Sequence, residues 1–264
     1  MNHISKSFLA RDGRTYKSHS WELREGGYKR IALLVGSGER PIDQESRLVR
    51  FLLDRGFRVV ALDLAYGAPL DSGAPRPGLR SFREAIAAFA AANEAPYMPF
   101  YIIASSFSAG ALLPIAASMP QAAAWALIAP VVEFPPLGLR RSCFFMPSAD
   151  LSVGPKELCG DPDLLEKWAD KSKLYKFRKS ELKAAGSELA SALTKDFGCP
   201  LAAFSGEADP FISEAGRASL KQAGSKLYGY PRVRHDPGFD RYADNYYADL
   251  GSFLDEVEAG KQKK

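Results

Sequence analysis

Hydrophobic and polar positions along this chain fall into alternating blocks. Short, largely apolar runs occupy 30–35, 57–63, 100–104, 124–129, 201–205 and 227–230. Runs of that length with few polar interruptions read as strands buried on both faces. Between them the spacing changes. Leu48, Phe51 and Leu52 recur at i, i+3 and i+4 within 47–55, the period of an amphipathic helix, and Gly56 follows as a helix C-terminal glycine. Phe82, Ile86 and Phe89 mark a second helix over 81–92, and further helices are expected over 111–118 and 240–258. Strands alternating with helices predict an α/β fold with a mainly parallel central sheet flanked by helices. Residues 7–10 and 15–18 flank Asp12-Gly13, a hairpin signal, so an antiparallel pair is expected to lead the sheet. The alternation stops at about 133–197, a stretch long enough to be a helical cap inserted over the sheet rather than a connection. The organisation expected is a single domain over 1–264 interrupted by that insertion.

Composition narrows the function classes. Hydrophobic residues make up 46% and charged residues 25%, enough to build a core and too apolar for general disorder, apart from the polar tail at 260–264. A net charge of +4 without a concentrated basic face argues against a nucleic-acid partner. The first residues carry no apolar signal core, and no run approaches the ~20 apolar residues of a membrane span. Cys143, Cys159 and Cys199 are odd in number and widely spaced, which predicts neither disulfides nor a zinc site. A cytoplasmic protein without metal or cofactor is the expectation, and oligomeric state is left open.

The candidate chemistry lies in loops that follow the expected strands, at the sheet edge where open parallel sheets bind ligands. Ala104-Ser105-Ser106-Phe107-Ser108 is a small-x-Ser-x-small variant of the strand-to-helix elbow that presents a nucleophilic serine. Ser105 and Ser108 compete, but Ser106 has small residues at both ±2 within a strand–turn–helix. Gly206-Glu207-Ala208-Asp209 follows the fifth run, and Asp209 is the candidate for orienting a histidine, with Glu207 a near rival and Glu133 a remote one. His235 follows the sixth run; the other histidines, His3 and His19, lie in the N-terminal hairpin region. The order Ser106, Asp209, His235, each after its own strand, is that of a serine-hydrolase triad. Gly36-Ser37-Gly38 after the first run is the candidate oxyanion loop, with the Ser37 and Phe107 amides as the two donors. It lacks the last glycine of a dinucleotide fingerprint, where Pro41 stands.

With these residues in place the chain resembles the α/β-hydrolase branch that includes monoacylglycerol lipases and lysophospholipases. Val35-Gly36-Ser37-Gly38-Glu39-Arg40 is similar to that branch's oxyanion loop, Ala129-Pro130 to its strand end, Asp161-Pro162 to a cap-region pair and 206–209 to its G-x-x-D. The resemblance implies a cap over an acyl pocket and cofactor-free hydrolysis of a small-molecule acyl ester, with fatty-acyl esters of the monoacylglycerol or lysophospholipid kind as the expected substrates. Val35 departs from the family's histidine, and Ala104 and Ser108 from its glycines. The elbow and the His235-Asp236 pair are also similar to bacterial myristoyl-acyl-carrier-protein thioesterases, a likeness that fades over the rest of the chain. It implies thioester cleavage or acyl transfer as the alternative. Peptidase action, and a non-catalytic binding protein on the same fold, are more distant readings.

Within the insertion, Phe144, Phe145, Met146, Trp168 and Phe177 are candidates for lining the acyl pocket, or alternatively for packing the cap onto the core. The stretch 167–179 interleaves basic and aromatic residues, a pattern suited to transient contact with a membrane surface or an acidic carrier protein, and equally to a solvated face.

Overall fold

The computed structural model describes residues 1–23, 27–36, 46–63, 78–119, 122–133, 148–153, 159 and 173–261. Strands β1 (Asn2–Leu9) and β2 (Thr15–Glu22) form the N-terminal hairpin, followed by β3 (Arg30–Val35), β4 (Phe57–Asp63), β5 (Phe100–Ser105) and β6 (Ala122–Ile128). The ribbon strands β7 (Ser148–Val153) and β8 (Lys173–Arg178) come next, then β9 (Leu201–Gly206) and β10 (Lys226–Tyr230). The helices are α1 (Ser46–Asp54), α2 (Leu79–Asn93), α3 (Ser106–Leu112), α4 (Lys179–Ala192), α5 (Glu214–Gln222) and α6 (Ala243–Lys261).

The large sheet has eight strands in the order β1-β2-β4-β3-β5-β6-β9-β10. β1/β2 and β2/β4 are antiparallel, and every pairing from β4 to β10 is parallel. β3 sits between β4 and β5, so the chain moves to one side of β3 after α1 and to the other side after α2. That reversal opens a crevice beyond the carboxyl ends of β3 and β5. Helices cover both faces of the central, parallel part of the sheet. α1 and α6 cover one through Leu48, Leu52, Tyr246, Leu250 and Leu254, packed on Leu34, Ile103 and Phe204. α2, α3 and α4 cover the other through Phe82, Ile86, Leu112, Leu182 and Leu189, packed on Leu33, Ile102 and Leu127.

The segment 133–197 is not helical throughout. β7 and β8 form a two-stranded antiparallel ribbon, with Ser148 opposite Arg178 and Val153 opposite Lys173. Tyr175 and Phe177 stand two residues apart in a short stretch with strand propensity, which a reading by charge overlooks. From Lys179 the same segment becomes α4, whose Leu182, Ala185 and Leu189 are no more than 1% exposed and belong to the core. Among the described residues no helix is long and apolar enough to cross a membrane.

Candidate active site

β5 runs directly into α3 at Ser106, without an intervening loop. Ser106 has φ +53°, a left-handed conformation that costs a side-chain-bearing residue energy and is kept only where its surroundings enforce it. Two features enforce it here. Ala104 and Ser108, the small residues on either side, are fully buried and let strand and helix approach. The carbonyl of Ser106 accepts the Val131 N–H at 3.1 Å, from the turn after β6 where Ala129 itself has φ +46°.

The rival serines are engaged elsewhere. Ser108 Oγ donates to the Gly36 carbonyl at 2.7 Å, and Ser105 Oγ reaches the Val35 carbonyl at 3.5 Å. Both tie the elbow to the end of β3. Ser106 Oγ instead lies 2.7 Å from His235 Nε2.

Asp209 and His235 sit on two loops bonded to each other. Glu207 N–H donates to the Tyr230 carbonyl and Ala208 N–H to the Val233 carbonyl, each at 3.0 Å. Gly206 allows that approach: a Cβ there would stand 2.0 Å from the Arg234 carbonyl oxygen, an impossible contact for any other residue. Asp209 Oδ2 then meets His235 Nδ1 at 2.9 Å, while Oδ1 accepts the Phe211 N–H at 2.8 Å. With both carboxylate oxygens occupied, Nδ1 carries the imidazole proton and Nε2 is left to accept from Ser106. The Phe211 ring stands edge-on to the imidazole, centroids 4.8 Å apart. Ser106, Asp209 and His235 are all at least nine-tenths buried.

The structure therefore brings together the three residues picked out as a triad, and separates them from their rivals. Glu207 is exposed. Glu133 accepts the Ser213 N–H at 3.0 Å at the start of α5. Phe107, one of the two oxyanion candidates, is buried at the first turn of α3. Ser37, Phe144, Phe145, Met146 and Trp168 lie outside the described residues, and Phe177 is placed in β8 by its backbone alone. Sequence reading missed Phe211, which both bonds Asp209 and packs on His235; the Asp209-Pro210 turn is the only signal for it. It also missed Arg217, whose Nη2 donates to the Gly206 carbonyl at 2.6 Å and braces the acid loop. Beside the elbow on the α1/α6 side, Leu34, Ile103, Ser105, Ile128 and Asp236 help line a cavity of about 30 Å³. A cavity of that size has room for water.

No family model matches the chain, and no curated protein matches its sequence. Solved structures do match its fold. The monoacylglycerol lipase of Paleococcus ferrophilus superposes with a TM-score of 0.72 at 15% identity, covering 92% of this chain and 99% of that one. A soluble variant of the monoglyceride lipase from Saccharomyces cerevisiae, in complex with a substrate analogue, gives 0.75 at 16% identity, covering 96% and 94%. A thermostable carboxyl esterase from Bacillus coagulans, in complex with glycerol, gives 0.69 at 15% identity, covering 97% and 99%. In sheet order, elbow and nearly full-length superposition, this chain has the α/β-hydrolase fold.

Proposed function

We propose that this protein is a serine hydrolase of carboxylic esters, with fatty-acyl esters of the monoacylglycerol or lysophospholipid kind as substrates. The observation that carries the reading is the buried relay from Ser106 through His235 to Asp209, at 2.7 and 2.9 Å. His235 Nε2 takes the Ser106 hydroxyl proton as Oγ attacks the ester carbonyl, and Asp209 stabilises the imidazolium that results. The amides of Phe107 and Ser37 hold the oxyanion of the tetrahedral intermediate. The imidazolium returns its proton to the leaving alcohol, and water activated by the same histidine cleaves the acyl-enzyme. The acyl chain lies between the sheet edge and the 133–197 segment, where Phe144, Phe145, Met146, Trp168 and Phe177 are its proposed contacts. Likeness of fold to lipases and a carboxyl esterase supports the ester as the scissile group.

A fluorophosphonate probe is expected to label Ser106, read by peptide mass spectrometry, and Ser106→Ala is expected to abolish both labelling and ester turnover. Label on another residue, or an esterase rate that survives the substitution, would overturn the assignment and favour a binding protein on this fold. Thioester cleavage or acyl transfer by the same residues is the second reading, favoured by the Ala104-x-Ser106-x-Ser108 elbow with its Ser108–Gly36 bond. Rates on matched oxygen esters and thioesters separate the two.

A further inference from the structure

β1 closes one edge of the large sheet and pairs with β2 over its whole length without a register shift. Six of its eight residues are exposed, among them Ile4 at 46% and Leu9 at 70%. Natural sheet edges are protected by short length, by proline, by bulges, by charged side chains or by a covering element. Asn2–Leu9 has neither proline nor bulge, and Lys6 is its sole charged residue. A cavity of about 270 Å³ adjoins the strand, lined by Ile4, Lys6, Ser20, Glu22, Arg58 and Phe89 among others.

We propose that β1 is the pairing edge for a second copy of this chain, the two β1 strands meeting antiparallel about a two-fold axis at Ser5. An antiparallel strand pair is its own complement under such an axis, so one sparsely protected edge suffices for both copies. Centred on Ser5, the register sets His3 opposite Ser7 and Ile4 opposite Lys6, so no two lysines face each other. Ile4 and Lys6 share a strand face with each other, as alternate residues do. On that face the incoming Lys6 stands beside Ile4, two residues along from Asn2, whose partner on β2 is Glu22. The extended lysine and glutamate side chains together span the intervening strand, and the charge of each answers the other twice across the axis. The 270 Å³ cavity supplies the room for the incoming side chains.

An interface this small belongs to the transient class, with a dissociation constant in roughly the micromolar range. Sedimentation equilibrium at about 100 µM, well above that affinity, is expected to show the wild-type mass rising from 28.8 kDa towards twice that value. Ser5→Lys sets two like charges against each other at the axis and is expected to leave a monomer with an unchanged thermal melt. Lys6→Glu and Glu22→Lys are each expected to weaken the dimer about threefold, and the double variant to restore it. A wild-type chain that stays monomeric overturns the proposal, as does a folded Ser5→Lys variant that dimerises like the wild type. Should Ser5→Lys not fold, the charge swap decides: restoration upholds the pairing and its failure rejects it.

Discussion

A side chain at positive φ is a cost with a purpose. At Ser106 it lifts Oγ out of the strand line towards His235, and burial fixes it there. Asp209 is the residue whose identity most needs testing, because Glu207 lies two positions away. The geometry separates them: Asp209 is buried with both oxygens bonded, and Glu207 is exposed. Asp209→Asn keeps the size and loses the charge, and it presents an amide where Nδ1–H needs an acceptor. A fall in kcat of about 10³–10⁴-fold is expected for it, against no change for Glu207→Gln, measured by steady-state hydrolysis of a chromogenic ester. A loss in Glu207→Gln with activity kept in Asp209→Asn would move the acid to Glu207.

Among the elements, α2, α3 and α4 meet at one buried cation. Arg83 of α2 donates from Nε to the Ala111 carbonyl in α3 at 2.6 Å and pairs with Glu188 of α4. The positive group thus faces the carbonyl end of the short helix that begins at Ser106. Arg83→Met keeps the aliphatic stem and leaves that carbonyl without its donor, at a cost of about 1–3 kcal/mol, read as a lowered midpoint in urea. Glu188→Gln, half exposed, is expected to cost much less. Elements of this kind were legible to different degrees. The apolar runs at 30–35, 57–63, 100–104 and 201–205 correspond to strands sealed on both faces, because double burial leaves little room for polar residues. The hairpin reaches further than its turn signal indicated, to Asn2 and Glu22, because strands half open to solvent need no apolar run. β7 and β8 went unread because their pairing joins residues far apart in sequence, and basic residues obscure the pattern of β8. The grouping of Ser106, Asp209 and His235 was legible through chain order, whereas the bracing by Phe211 and Arg217 depends on loop geometry that spacing does not encode.

At the scale of the whole molecule, buried tyrosines are spread over both faces of the sheet. Burial is the main reason that Tyr16, Tyr101 and Tyr230 all have raised pKa values; Asp12, Glu258 and Asp249 respectively add to it. For Tyr101 the value is pushed from 10.0 up to about 12. The folded chain therefore holds these protons where the unfolded chain releases them. For Tyr101 that contribution to stability is complete below pH 10.0 and is lost as pH rises from there through about 12. Thermal melts are expected to fall steeply over that window. Tyr101→Phe should remove its share, about 1 kcal/mol at pH 11. A loss as steep in Tyr101→Phe as in the wild type would rule out this origin.

The triad also has a timetable. His235 lies 26 residues beyond Asp209 but 129 beyond Ser106, and both follow the segment that interrupts the alternation of strands and helices. A ribosome making this chain releases the elbow long before its acid and base exist. Until β9 and β10 have joined the sheet, Ser106 carries an ordinary hydroxyl. On the proposed function, a chain cut before β9 is expected to be inert towards esters however well its first half folds.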